Sequence, residues 1–417
     1  MPHKIKVTPK YLTQGMYVAE LDRPWLDSPF LFQGFLINNE ALLDEVKAEC
    51  GFVYVDIELS DPGIHGQLLV LANRPAPSIK ATTKKILTHD SDEVEHHRYI
   101  KKLRQSRITF DDTSRYIHQA LEDVRLGTSV DTQKAKQLVS ELADQVLTNQ
   151  HALVWLTFLK NRDEYTANHC VNVCILALSF GRCLGLNKQQ LNQVGLGGLL
   201  HDLGKMKIPD KILNKPGKLA PEEFEIMKQH PELGFQLLKN EKALSMEVLD
   251  AVLHHHERKR SHGYPDQLAE EKIPLLTQII SIVDVYDAVT SNRCYHDGIS
   301  PYEALNSIYK WADKDFNKEL VESLIKCLGI YPIGSLVELS NGMIGVVISA
   351  SKSARLRPLI MLVLDKNKRY FKKRKILNLA NPRWRQGSRA IEIGQILSPS
   401  RYDINIKQII EEESRSL

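Results

Sequence analysis

Apolar and polar residues alternate along Gly15-Met16-Tyr17-Val18-Ala19 and again along Phe52-Val53-Tyr54-Val55-Asp56-Ile57. A period of two is the signature of a strand with one buried face. Asn39 to Glu49 lies between them and reads as a short helix. Together these segments predict a small mixed α/β module over residues 1–60. The stretch from 60 to 90 holds Pro62, Gly63, Pro75 and Pro77 among polar residues and reads as a linker. From about 92 to 160 the period lengthens. Leu121 and Val124, then Leu138, Leu142 and Val146, recur at three- and four-residue spacings in a charged background, which predicts helices.

The helical pattern continues over 150–331. Helices are expected near 166–186, 188–203, 221–230, 243–256, 274–291 and 317–328, punctuated by Pro216-Gly217, Pro231, Gly263, Pro265 and Pro274. No strand alternation interrupts them, so this part is an all-α domain. After Tyr331-Pro332 the pattern changes again. Ser335-Leu336-Val337-Glu338-Leu339 and Ile344-Gly345-Val346-Val347-Ile348 flank Asn341-Gly342, a strong hairpin signal. Further strands are expected at 359–364 and 390–396. The expected protein is mainly α. A helical bundle spans 150–331, with an α/β module at 1–60, a linker and charged helices at 61–149, and a small β-rich module at 332–417.

Composition refines this picture. At 417 residues the chain is too long for one ordinary compact domain. Its 43% hydrophobic and 25% charged residues fit a globular protein. A net charge of +4 is too mild for a surface that coats nucleic acid, so no DNA partner is expected, while a small anionic ligand suits it. Met1-Pro2-His3-Lys4-Ile5-Lys6 is not followed by an apolar run, and no stretch reaches the roughly 18 apolar residues of a spanning helix. A cytoplasmic, non-membrane protein is expected. The six cysteines, Cys50, Cys170, Cys174, Cys183, Cys294 and Cys327, are scattered and include no CxxC pair. No disulfide framework is expected, and Cys170 and Cys174 read as core packing.

The histidines change the picture most. Eight of fifteen lie between 169 and 296, beside carboxylates. His201-Asp202 ends an apolar helix rich in small residues. His169 lies on an earlier helix, and Asp284 sits inside the apolar run from Leu275 to Val289, where a carboxylate is costly unless paired or bound to metal. Any one of these residues alone reads as a hydrogen-bonded core group. Together they supply imidazoles and carboxylates suited to a divalent metal. His230, His255 and His256 add three imidazoles, whereas the adjoining His254 is expected to be structural or to support a ligand from behind. If Asp202 bridges, two metals can be filled. One takes His169, His201, Asp202 and Asp284, and the other Asp202, His230, His255 and His256. Such pairs activate water and stabilise phosphoryl transition states. A His-rich set without thiolates suits Fe or Mn better than Mg.

These residues sit in ordered motifs. His201-Asp202-Leu203-Gly204-Lys205, Ile208-Pro209-Asp210, Lys215-Pro216-Gly217-Lys218-Leu219, His230-Pro231, His255-His256-Glu257, Gly263-Tyr264-Pro265, Asp284-Val285-Tyr286-Asp287-Ala288-Val289-Thr290 and Arg293-Cys294-Tyr295 resemble the HD-GYP family in order and spacing. The match covers roughly 150–332. The N-terminal module and Tyr331-Pro332-Ile333-Gly334-Ser335 resemble the HD-GYP subfamily with a small N-terminal domain of unknown function. The resemblance implies a bacterial HD-type bundle and a phosphodiesterase acting on cyclic di-GMP or the hybrid cyclic GMP-AMP.

By position, the resemblance implies that His169, His201, Asp202, His230, His255, His256 and Asp284 are metal ligands. Lys205 and Arg293 match family residues that contact substrate phosphate, where charge grows in the transition state. Tyr264 matches the tyrosine beside the substrate pocket. Three departures stand out. Tyr165 replaces the glutamate of members with a third metal, so two metals are expected. Arg260-Ser261 replaces the usual Asp-Gly before the tripeptide. His296 replaces a common lysine and is placed in the substrate-binding set.

In the expected reaction, water activated between the metals at Asp202 attacks phosphorus in line and displaces the ribose 3′ oxygen. Lys205 and Arg293 hold the non-bridging oxygens. The product is a linear dinucleotide, with mononucleotides after a second round. Two rival readings stand beside this one. The first is an HD-type nucleotide phosphohydrolase. The second is a silent cyclic-dinucleotide receptor, or a module that binds a diguanylate cyclase through the GYP loop. The charged helices over 92–160 offer a homodimer interface, against the plainer reading of a solvated face.

Overall fold

The computed structural model describes residues 4–22, 34–72, 92–159, 165–291, 298–350, 356–384, 390–398, 401–402 and 404–415. The chain divides into two compact units: 1–91 with 351–358, and 92–350 with 359–417.

In the first unit, strands β1 (Lys4–Val7), β2 (Tyr17–Leu21), β3 (Phe35–Leu36) and β4 (Val53–Asp56) form an antiparallel sheet in the order β1-β4-β2-β3. Helix α1 (Glu40–Glu49) lies between β3 and β4 in sequence. It starts where the Asn39 side chain accepts from the Leu42 N–H at 2.8 Å, an N-cap that satisfies one of the helix's open donors. The alternation along β4 buries Val53 and Val55 with Val18, Ile37 and Val46. The stretch read as linker is partly folded. A 3-10 turn at Pro62–Ile64 leads into α2 (His65–Ala72), whose Leu68 is fully buried in the same core. The proline and glycine of that stretch start a helix here. Pro75 and Pro77 lie outside the described residues.

The second unit opens with two long helices, α3 (Asp92–Leu126) and α4 (Thr132–Leu156). There follow α5 (Tyr165–Cys183), α6 (Lys188–Leu200), α7 (Asp210–Leu213), α8 (Pro221–Met227), α9 (His230–Leu238), α10 (Met246–His254), α11 (Leu275–Thr290), α12 (Pro301–Asp315) and α13 (Lys318–Leu328). The fold is mainly α, as the periodicity predicts. Helix α6 begins with a capping box between Asn187 and Gln190. α4, α5, α6, α10 and α11 pack on one another, burying Trp155, Phe180, Val194, Val252 and Ile280 among others. Three helices of this bundle escaped the periodicity reading, the four-residue α7 among them. α9 begins at His230 because Pro231 occupies its first turn, where the missing N–H costs nothing. α12 is capped by Ser300, whose side chain accepts from the Glu303 N–H.

The five strands β5 (Leu336–Leu339), β6 (Ile344–Ser349), β7 (Leu359–Leu364), β8 (Tyr370–Asn378) and β9 (Ile393–Leu397) form an antiparallel sheet in the order β8-β7-β6-β5-β9. Asn341-Gly342 turns β5 into β6, as expected. The tail is not purely β. Helix α14 (Ile406–Arg415) buries Ile409 and Ile410 and is tied to β8 by Arg374 and Glu413 at 3.2 Å.

The scattered cysteines predict no disulfide framework, and among the described residues a single pair is joined. Cys183 at the end of α5 and Cys327 in α13 are bonded, although 144 residues separate them in sequence. Cys50, Cys170 and Cys174 are buried. Among the described residues, no helix is long and apolar enough to cross a membrane.

Candidate metal centre

Four segments of the bundle converge on Asp202. The apolar face of α6 drives its end into the core, so His201 and Asp202, which follow directly, are almost fully buried. α5 brings His169, and α11 brings Asp284. His230 starts α9, and His255 and His256 follow α10. The approach of α9 depends on glycine. A Cβ on Gly204 would stand 2.0 Å from the His230 carbonyl oxygen and 2.5 Å from the Gly234 nitrogen.

The Asp202 carboxylate faces two ways. Its Oδ2 lies 3.3 Å from His201 Nε2 and 3.6 Å from His169 Nε2. Its Oδ1 lies 3.4 Å from His230 Nε2 and 3.9 Å from His255 Nε2. Asp284 Oδ1 is 2.9 Å from His169 Nε2, and its Oδ2 is 4.0 Å from His256 Nδ1. Two groups of donor atoms close enough to share an ion result: His169, His201 and Asp202, and His230, His255 and His256. All seven residues named from the sequence are thus brought together. Lys205 Nζ reaches Asp202 Oδ2 at 2.6 Å. Tyr264 packs against His256 with ring centroids 4.7 Å apart and planes tilted by 33°. Arg293 and His296 lie outside the described residues.

Hydrogen bonds set the imidazole tautomers. His201, His230 and His255 each donate from Nδ1 to a backbone carbonyl, of Gly198 (2.8 Å), Met227 (2.7 Å) and Val252 (2.8 Å) respectively. A carbonyl only accepts, so these Nδ1 atoms carry the proton and the Nε2 lone pairs point inward. Among the described residues, neither His201 Nε2 nor Asp202 Oδ1 has a hydrogen-bond partner. Buried polar atoms without partners are rare. Here they aim at one another's vicinity, so the donor set fits divalent cations.

Electrostatics agree. Burial, reinforced by neighbouring imidazoles, holds His255 and His256 well below the ordinary histidine pKa, which keeps them neutral as ligands must be. Burial opposes the charge on Asp202, but His201 and Lys205 outweigh it and hold the carboxyl well below its usual range. Burial likewise opposes the charge on Asp284 and is outweighed by His169. For His169 itself, burial disfavours the charged form. Hydrogen bonds to Asp284 and Asp287 outweigh that and raise its pKa to about 9.

Three residues were missed as functional. Asp287 is buried and accepts from His169 Nδ1 at 2.7 Å and from Asn172 Nδ2 at 3.0 Å. It fixes the ring that carries His169. Its signal was present in the sequence, three residues after Asp284 on an apolar helix, which puts both carboxylates on one face. Glu257 is buried and accepts from the backbone N–H groups of Asp266 (2.7 Å) and Leu268 (3.0 Å), holding the loop that carries Tyr264. Arg258 donates to Ser281 Oγ at 2.6 Å and to the His255 carbonyl at 3.2 Å. His254 points elsewhere, between Asp250 (2.9 Å) and Asp266 (3.0 Å), as its structural reading requires. Ser261 has φ 54°, a left-handed conformation at the position where the usual motif carries glycine.

The centre opens into a cavity of about 880 Å³. His230, His256 and Asp284 form part of its lining, with Lys205, Lys215 and Lys218 supplying positive charge.

Fold and donor set define an HD-type metal-binding domain. The HD domain family matches residues 142–320, a domain of unknown function (DUF3391) matches 4–135, and a KOW domain associated with HD domains matches 336–394. The cyclic di-GMP phosphodiesterase PA4108 of Pseudomonas aeruginosa is 36% identical over 365 residues, 86% of this chain and 84% of that protein. The 3'3'-cGAMP-specific phosphodiesterase 2 of Vibrio cholerae is 31% identical over 46% of this chain and 34% of its own length. The solved structure of Bd1817 from Bdellovibrio bacteriovorus aligns with 77% of this chain and 98% of its own, at 15% identity and a TM-score of 0.45. The chain belongs to the family of HD-domain cyclic dinucleotide phosphodiesterases, in the branch that carries the N-terminal domain of unknown function.

Proposed function

We propose that this chain is a metal-dependent phosphodiesterase that hydrolyses a cyclic dinucleotide, either cyclic di-GMP or 3′,3′-cyclic GMP-AMP, to a linear dinucleotide. The likeness to PA4108 over most of both chains supports the reaction class. The observation that carries the site is the Asp202 carboxylate, with one oxygen toward His201 and His169 and the other toward His230 and His255. With the imidazoles on either side, Asp202 would help hold two divalent ions, Fe or Mn by the preference of a His-rich set. Bound there, the ions supply Lewis-acid polarisation of a phosphoryl oxygen and a lowered pKa for water.

The chain's own groups do the rest. His169, His201, His230, His255, His256 and Asp284 hold the ions with Asp202. Lys205, now 2.6 Å from Asp202, sits at the cavity wall where a phosphate oxygen gives it a second anionic partner. Tyr264, packed on His256, closes the site beside the substrate pocket. Arg293 is assigned to the second phosphate contact and His296 to the substrate-binding set.

Product analysis of Mn- or Fe-loaded protein with cyclic di-GMP and 3′,3′-cyclic GMP-AMP tests the reading. Cleavage of either is expected, and the ratio of rates ranks the two. Asp202→Ala is expected to lose both metal and turnover. Binding of both nucleotides without cleavage by fully metal-loaded protein overturns the proposal in favour of a receptor.

A further inference from the structure

We propose that the last two turns of α3 form the base-recognition wall of the catalytic cavity, with Glu122 and Arg125 reading guanine. The inference rests on the cyclic-dinucleotide reading above and names a specificity determinant for it. α3 falls within the match to the domain of unknown function and outside the HD-domain match.

His118, Leu121, Glu122 and Arg125 all line the cavity that holds His230, His256, Asp284 and Lys205. They stand at i, i+3, i+4 and i+7, one face of the helix. Their placement is fixed by the segment that follows Asp202. Lys207 Nζ donates to the Val124 carbonyl at 2.6 Å, and Arg125 Nη2 lies 3.6 Å from Asp210 Oδ1 and 3.9 Å from Met206 Sδ. The end of α3 is thus held by the same short segment that carries Lys205.

Glu122 and Arg125 form an ion pair at 3.9 Å with side chains 50% and 42% exposed. Pairs this open and long add little to stability, so both side chains can turn to a ligand at small cost. Lys205, Lys215 and Lys218 on the lining match the phosphates of a cyclic dinucleotide, and the α3 wall carries a carboxylate and a guanidinium that match a base edge. A carboxylate accepts from guanine N1–H and N2–H, and a guanidinium donates to guanine O6 and N7. Adenine offers an acceptor at N1 and a donor at N6, the reverse of what this pair requires.

The test uses the full chain with cyclic di-GMP and cyclic di-AMP, in two readouts. The first is equilibrium binding in EDTA, and the second is steady-state turnover with Mn. Glu122→Gln and Arg125→Ala alter exposed side chains and are expected to fold, which circular dichroism checks. Wild type is expected to prefer cyclic di-GMP. Each variant is expected to weaken cyclic di-GMP binding about tenfold or more. Its KM should rise more than its kcat falls, and cyclic di-AMP binding should stay within about twofold. No guanine preference in wild type, a preserved preference in both variants, or an equal loss for both nucleotides overturns the proposal. Guanine-selective binding that depends on these residues, without cleavage, sinks the phosphodiesterase reading and keeps this one. Cleavage with an unaltered preference in both variants does the opposite.

Discussion

Replacing Asp287 by asparagine tests whether the metal site depends on a residue that touches no metal. Both Asp287 oxygens accept, Oδ2 from His169 Nδ1 at 2.7 Å and Oδ1 from Asn172 Nδ2 at 3.0 Å. An amide has the same shape but only one acceptor oxygen. Its NH2 must therefore face either the imidazole N–H or the Asn172 amide. One buried donor is left unpaired, at a cost of about 1–3 kcal/mol. Loss of such a partner typically weakens metal binding about 10- to 100-fold. A second effect has the opposite sign. Asp287 also helps raise the His169 pKa to about 9, so at pH 7 the metal must displace a proton from that ring. Asp287→Asn lowers this pKa and relieves the competition. The affinity loss should therefore be smaller at pH 7 and reach its full extent as the pH approaches 9, where wild-type His169 becomes neutral too. A chelator-buffered Mn titration at both pH values reads this directly. Equal affinity of variant and wild type at both pH values, in a variant that melts cooperatively, would falsify the assignment of Asp287 as the group that positions His169.

Other changes probe the scaffold around the site. Gly204→Ala places a Cβ 2.0 Å from the His230 carbonyl and should destabilise the protein by about 1–3 kcal/mol, with metal lost from the His230 side first. Urea melts and metal analysis report this, and normal values for both refute the close-approach argument. Ser261→Gly relieves a residue held at φ 54°. The relief of about 1–2 kcal/mol exceeds the extra entropy of glycine, about 0.5–1 kcal/mol, so a higher Tm is expected. His254 has a raised pKa. Burial opposes its charge, but its bonds to Asp250 and Asp266 outweigh it. Its stabilising contribution is complete below the unfolded value of about 6.5 and fades as pH rises through the folded value. Denaturant melts on both sides of that window should show a slope that His254→Gln removes.

The sequence alone determined which residues could do chemistry and which elements would carry them. His-Asp at the end of an apolar helix, three more imidazoles at later helix ends, and an aspartate inside an apolar run are each local anomalies. A buried polar group is costly wherever it sits, so its misfit shows in one dimension. The helical period over α4 to α6 and the alternation in β4 were legible for the same reason, because the pattern of one element records the face it buries. β8 was not legible. Its run Tyr370-Phe371-Lys372-Lys373-Arg374-Lys375 leaves most side chains exposed, and only Ile376 and Leu377 at its end are buried, so it shows no alternation. Nor could the chain reveal that Cys183 meets Cys327, or that Asp202 offers a different oxygen to each imidazole group. The pairing of His169 with Asp287 spans 118 residues, and α3 lines the cavity with its last turn held by Lys207 across 83 residues. Such meetings are set by how the helices pack, a property of all their buried faces together, which no local pattern contains.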